Sequence, residues 1–436
     1  MRIPLSVLDL APIARGETAG SSIAASVALA QAAEEHGYQR VWYAEHHNMP
    51  SIASSATSVL ISHVGAHTRT IRLGAGGVML PNHAPLTIAE QFGTLDAMYP
   101  GRIDLGLGRA PGSDQNTMYA LRRTPDSADR FPQDVLELQA YLAGETRVPG
   151  VDAIPGKGSE VPLYVLGSSM FGATLAAALG LPYAFASHFA PQLLEPAVAA
   201  YRREFTPSEQ LAEPYVIAGV NVVAADTAEE ARANLAAVKR NLAIRLFGRG
   251  QELSAEQADQ LLAQGAGVHV TSMLTHTAVG TRAEVGEYLD RFLKTADADE
   301  LIVAHQAPTT AARLRSVTLL AEALDGIPAS GPAGLPDGGS ALGHLRSTDA
   351  HPTFHRDPVH PHGALLRRDR DPDRLRLRHG GGHRRERHRE RRRGGRGQRG
   401  RRLTSLRRPW IRPGAAGARP GPGAAPGRPT PPWPAR

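Results

Sequence analysis

The chain has 436 residues, 42% hydrophobic and 21% charged, enough to bury one large core or two ordinary ones. It contains 0 cysteines, which excludes disulfides and thiolate-held metals and agrees with a soluble, cytoplasmic protein. The net charge of +7 is split. Residues 331–436 hold about 25 of the 49 Lys and Arg residues but about 8 of the 42 Asp and Glu, so an acidic body precedes a basic end.

The opening MRIPLSVLDLAPIARG lacks the basic-then-apolar pattern of a signal peptide, and no apolar run approaches the roughly 20 residues of a membrane span. Residues 3–10 read as a strand, and 21–36 as a helix with Ile23, Val27 and Ala30 at helical spacing and Gly37 as its stop. Residues 40–44 form a second strand and 54–67 a second helix. Strands at 71–80 and 103–108 flank a helix at 86–98. The alternation continues with a helix at 127–142, a strand at 163–166, a helix at 171–179, a strand at 183–187, a helix at 191–205 and a strand at 216–223. A long helix at 228–246 and an inserted one at 254–264 follow, then a helix at 282–293, a strand at 300–304 and a helix at 309–324. About eight strands with intervening helices predict an α/β fold, a (β/α)8 TIM barrel with helical insertions, in preference to a doubly wound open sheet.

The periodicity stops after Asp325. Residues 1–328 are expected to form the barrel and 329–436 a disordered Arg-, Gly- and Pro-rich tail that cannot bury enough surface to offset its chain entropy. Such an arm would bind nucleic acid only non-specifically, through charge. The abrupt break and the absence of lysine favour a product of a shifted reading frame or read-through.

Four clusters carry candidate chemistry. Glu45, His46 and His47 follow the second strand, where side chains reach the barrel mouth; adjacent positions on extended chain point opposite ways, so one histidine at most faces the site. Gly74, Gly76 and Gly77 interrupt the third strand, as a seat for a flat ligand or as a β-bulge. Arg109 follows Gly106 and Gly108 at the end of the fourth strand and offers a fork for phosphate. Gly167, Ser168 and Ser169 lie between a strand and a helix, either an anion site at the helix start or a plain serine cap. No GxGxxG opens a βαβ unit with an acidic partner, and no Walker A motif or HExxH is present.

Taken together, WYAEHHN, LGAGGVMLPNHAPLTIAEQFGTLDAMYPGRIDLGLGR, LGSS and LGLPYAFASHF resemble the bacterial luciferase-like flavin monooxygenases, most of all their single-chain oxidoreductases, over residues 1–325. The resemblance implies a barrel that takes reduced FMN from a separate flavin reductase, adds oxygen to it, and oxidises a small-molecule substrate. By motif it puts His46 at the active-site histidine, Gly76 and Gly77 at a non-proline cis peptide against the flavin ring, Arg109 at the flavin phosphate, and Ser168 and Ser169 at the phosphate turn. A homodimer is implied, joined through the helices nearest the second and third strands.

Two residues depart from luciferase: Gly108 stands where luciferase has a reactive cysteine, and Ser168 near an acidic position. Some relatives use a deazaflavin without oxygen, and a non-catalytic flavin-binding barrel is the remaining alternative. No metal is expected. The loops at 110–124 and 248–277 are expected to line the substrate pocket.

Overall fold

A computed structural model of the chain describes residues 3–110, 114–145, 147–248 and 251–325. The expected tail, 329–436, lies outside the described residues. Among the described residues nine strands occur: β1 Leu5–Asp9, β2 Arg40–Tyr43, β3 Arg72–Met79, β4 Ile103–Gly108, β5 Leu163–Gly167, β6 Tyr183–Phe185, β7 Val216–Ala224, β8 Thr277–Gly280 and β9 Glu300–His305. They run in the order β6-β5-β4-β3-β2-β1-β9-β7-β8, and a further pairing of β6 with β7 closes the ring. The closed ring contains β1 to β7 and β9, all paired in parallel. This is the expected (β/α)8 barrel, and its closure excludes the open sheet.

β8 was not expected. It continues the sheet where β6 stops: Val216–Ala218 of β7 pair with β6, while Asn221–Ala224 pair with β8. Four residues with only alternate positions buried leave too short a pattern for sequence to register. Two helices also differ from expectation. The stretch at 127–142 is a 3-10 turn, Pro125–Arg130, leading into the helix Phe131–Ala143. The insertion at 254–264 runs further, from Ala255–Leu261 through a kink at Gly265 (φ 104°) into Gly267–Met273.

Strand alternation sorts side chains into two cores. Val7, Val41, Leu73, Leu105, Val165 and Val303 face the surrounding helices. Leu8, Trp42, Ala44, Tyr164, Ala184, Ile217 and Ile302 fill the barrel. Trp42 meets Tyr164 edge to face, with ring centroids 4.9 Å apart.

Charged groups plug the barrel at the N-terminal ends of the strands. Arg40 donates to Glu300 at 2.9 and 3.1 Å and to Asp104 at 2.8 Å. Asp104 also accepts from Arg72 at 2.6 Å and from the Trp42 indole at 3.0 Å. Ser6 and Tyr215 donate to Glu300. Arg40, Asp104 and Glu300 are buried, so each charge depends on its neighbours in place of water. This end is sealed, which leaves the opposite end, where the strands finish, to hold a ligand.

Candidate active site

The β2 strand runs on through Ala44 to Glu45, His46 and His47, and strand alternation separates them. Glu45 turns outward and is saturated: it accepts from His47 (2.7 Å), His83 (3.0 and 3.1 Å), the Met79 amide (3.0 Å) and Asn82 (3.2 Å). Burial alone would raise its pKa, but the hydrogen bonds from His83, His47 and the Met79 amide hold it down at about 2. Glu45 is therefore an ionised tie between the loops after β2 and β3. His47 belongs to this tie.

His46 turns the other way. Burial and then the Arg245 guanidinium lower its pKa, against a smaller opposing pull from the Ala44 backbone and Glu45. Its Nδ1 is buried without a hydrogen-bond partner. His188, just after β6, shares the position: burial and then His46 bring its pKa down to about 4, and its Nδ1 is likewise buried and unpartnered. Both shifts favour the neutral ring. Gly219 on β7 makes room, since a Cβ there would stand 2.4 Å from His188 Nδ1. Asn221 holds the segment, donating to the His188 carbonyl at 2.5 Å and accepting from Gln306 at 3.1 Å.

The glycines of β3 form a bulge. Ala75 pairs with Leu105 and Val78 with Leu107, so Gly76 and Gly77 both lie opposite Gly106. The Gly76–Gly77 peptide is cis. A Cβ on Gly77 would come within 2.7 Å of the Gly106 carbonyl oxygen, and one on Gly106 within 2.3 Å of that of Ala75. One on Gly76 would meet Trp42 Cβ at 2.9 Å. Close backbone packing between β3 and β4 thus requires these glycines whether or not a flat ligand lies above them.

Arg109, after β4, sets its guanidinium 3.9 Å from the centre of the Phe171 ring. Phe171 is the second residue of the helix Met170–Leu179, whose N-cap is Ser169. The Ser169 hydroxyl makes no capping bond, so the first amides of that helix and its dipole are open to an anion. Arg109 has no ion pair among the described residues. Arg109, Ser168 and Ser169 therefore gather around one helix start. A surface hollow of about 490 Å³ lined by Tyr119, Ala120, Arg122, Arg123 and Thr124 involves none of them.

With this geometry, a family profile for the luciferase-like monooxygenases matches residues 3–299. The chain belongs to the luciferase-like monooxygenase family. A luciferase-like monooxygenase of Escherichia coli K12 is 47% identical over 320 residues, covering 73% of this chain and 96% of that protein. The N-acetyl-S-alkylcysteine monooxygenase of Bacillus subtilis is 35% identical over 338 residues, covering 74% of this chain and 98% of that one. Among solved structures, apo-MsnO8 is 34% identical with a TM-score of 0.68, covering 75% of this chain and all of that chain (100%).

For a luciferase-like monooxygenase the residues expected from the sequence, His46, the β3 glycines, Arg109 and the serine turn, all lie at or just beyond the C-terminal ends of β2 to β5. It missed His188, which stands inside the ASHF run, and Arg245, which carries no local signal on its helix. Among the described residues no helix is long and apolar enough to cross a membrane, and no group of three or more His, Asp or Glu side chains is placed to hold a metal.

Proposed function

We propose that the chain is an FMN-dependent monooxygenase acting on a small organic substrate, with the reduced cofactor supplied by a separate flavin reductase. The observation that carries the cofactor is the anion cradle. An arginine with no acidic partner among the described residues is stacked against the first turn of a helix whose serine cap leaves its amides unspent. The residues suit a monophosphate: Arg109 as charge and fork, with Ser168, Ser169 and the amides that follow as donors. The β3 bulge at Gly76 and Gly77 would support the ring from the barrel wall. Bound there, reduced FMN would supply the electrons that activate oxygen.

The protein's share is then to bind, orient and manage a proton. His46 offers one unsatisfied ring nitrogen in a site whose burial favours the neutral ring, which gives or takes a single hydrogen bond. His188 stands beside it in the same state. The sealed base beneath Trp42 keeps water from entering through the other end. A homodimer through the helices Thr57–Gly65 and Pro85–Met98 suits the exposed Val59 and Met98 on them. A cytoplasmic location belongs to the same reading.

The test is substrate-dependent oxygen uptake by the FMN-loaded chain with a flavin reductase, using labelled dioxygen. One labelled oxygen atom in the product supports a monooxygenase. Uptake without incorporation, or activity only with a deazaflavin, overturns it.

A further inference from the structure

The chain after β4 carries a short helix, Gln115–Ala120, that is tied to the loops of two neighbouring strands. Asp114 caps its start and accepts from the Asn48 side chain, after β2, at 2.9 Å. Arg123, just past its end, donates through Nη1 to the Asn82 side-chain oxygen, after β3, at 3.1 Å. The helix stops in a Schellman turn: the Arg122 amide donates to the Tyr119 carbonyl at 3.0 Å and the Arg123 amide to that of Met118 at 2.9 Å. Such a turn needs one left-handed residue, and here it is Arg122, with φ 57°. Glycine would take that conformation without strain. The arginine instead places two adjacent guanidinium side chains on the wall of one hollow, the 490 Å³ space lined by Tyr119, Ala120, Arg122, Arg123 and Thr124.

Arg123 is no solvated surface residue. Only 9% of it is exposed, and its Nε is buried with no hydrogen-bond partner. Neither Arg122 nor Arg123 has an ion pair among the described residues, whereas Arg130, in the next turn, has Asp134 at 3.4 Å. The carboxylate that Arg123 reaches through Asn82 is Glu45, already held by His47, His83 and the Met79 amide. A guanidinium taken out of water with donors to spare is costly unless an anion meets it. Tyr119, 85% exposed, adds an aromatic side chain to the same wall. None of Arg109, Ser168 or Ser169 lines the hollow.

Two forks of N–H donors and two positive charges suit the three oxygens of a phosphate monoester better than one carboxylate. We infer that this hollow is a second anion site, which takes a small organic phosphate monoester with its dianion on Arg122 and Arg123 and its organic body against Tyr119. The assignment goes beyond the monooxygenase reading and does not rest on it.

The probes are phenyl phosphate and phenyl sulfate, titrated calorimetrically into the FMN-saturated full-length chain at about pH 8, where the phosphate carries nearly two charges and the sulfate one. The phosphate should bind at least about tenfold more tightly than the sulfate, and without displacing FMN. Arg123→Gln should weaken it by about tenfold or more, the loss of a charged hydrogen bond, while Arg109→Ala should leave it unchanged. Arg122→Gly removes a charge but gives the turn its preferred residue, so it should weaken the phosphate without lowering the melting temperature. That variant decides the matter if Arg123→Gln fails to fold by circular dichroism. No binding of phenyl phosphate at about 10 mM, equal affinity for the two probes, or affinity that survives in folded Arg123→Gln or in Arg122→Gly overturns the assignment. Displacement of FMN, or loss of the phosphate in Arg109→Ala, also overturns it by giving the anion to the cofactor cradle. A wild-type chain that binds phenyl phosphate through Arg122 and Arg123 but binds no FMN would support this site and sink the cofactor reading alone.

Discussion

Arg109 and Phe171, on the loop after β4 and the helix after β5, are stacked with the guanidinium carbon 3.9 Å from the ring centre. The ring holds the cation at a helix start without neutralising it, as an acidic partner would. Arg109→Ala should therefore weaken FMN by about tenfold or more while leaving riboflavin affinity nearly unchanged, because a charged hydrogen bond of roughly 1.5–3 kcal/mol goes to the phosphate alone. Flavin fluorescence titrations check this. Equal losses for both flavins would place the arginine at the ring.

His46→Gln should retain flavin binding and lose turnover by about 10² to 10⁴, the range of a positioned acid or base. Its pKa is lowered, so it stays neutral at pH 7, and any acid limb it contributes to the rate profile lies below pH 6.5. Removing the Arg245 charge should move that limb upward, since a neighbouring cation disfavours protonation.

Glu45 bears on acid stability. Its folded pKa of about 2 lies below the ordinary 4.5, so its contribution is present above pH 4.5 and is lost as the pH falls toward 2. The shift corresponds to at most about 3 kcal/mol. Denaturant melts of Glu45→Gln should show a shallower loss of stability across that window than the wild type.

The base of the barrel should be intolerant of a single deletion. Asp104→Ala leaves Arg40 and Arg72 without a shared acceptor in a buried setting, which should cost about 3–5 kcal/mol in urea unfolding. A loss under about 1 kcal/mol would mean that water reaches the cluster.

Two glycines separate packing from propensity. Gly106→Ala drives a Cβ to 2.3 Å from the Ala75 carbonyl oxygen, so β3 and β4 must part, at about 1–3 kcal/mol. Gly20→Ala, in the first turn of the helix Ala19–Glu35, meets only Thr18 Oγ1 at 3.7 Å and should be neutral or gain up to about 1 kcal/mol. Thermal melts of the pair check both.

The strand and helix series, the barrel and the family were legible in the sequence. Apolar spacing is a local property, and buried parallel strands such as Val216–Ala224, with all nine residues buried, write it plainly. The positions of Arg109 and the serine turn at strand ends were legible too, because a βα loop follows its strand within a few residues. Read from the residues alone, sequence left open which of His46 and His47 faces the mouth and whether the β3 glycines serve a ligand or a bulge; only the family resemblance chose His46.

Only the tertiary structure decided the rest. Glu45 claims His47 and His83 and so leaves His46 to the mouth. Closure lets His188, after β6, and Arg245, on the helix Ala228–Phe247, act electrostatically on a histidine some 140 to 200 residues earlier. Pairing between residues so far apart follows from ring closure and burial, and no periodicity within either segment records it.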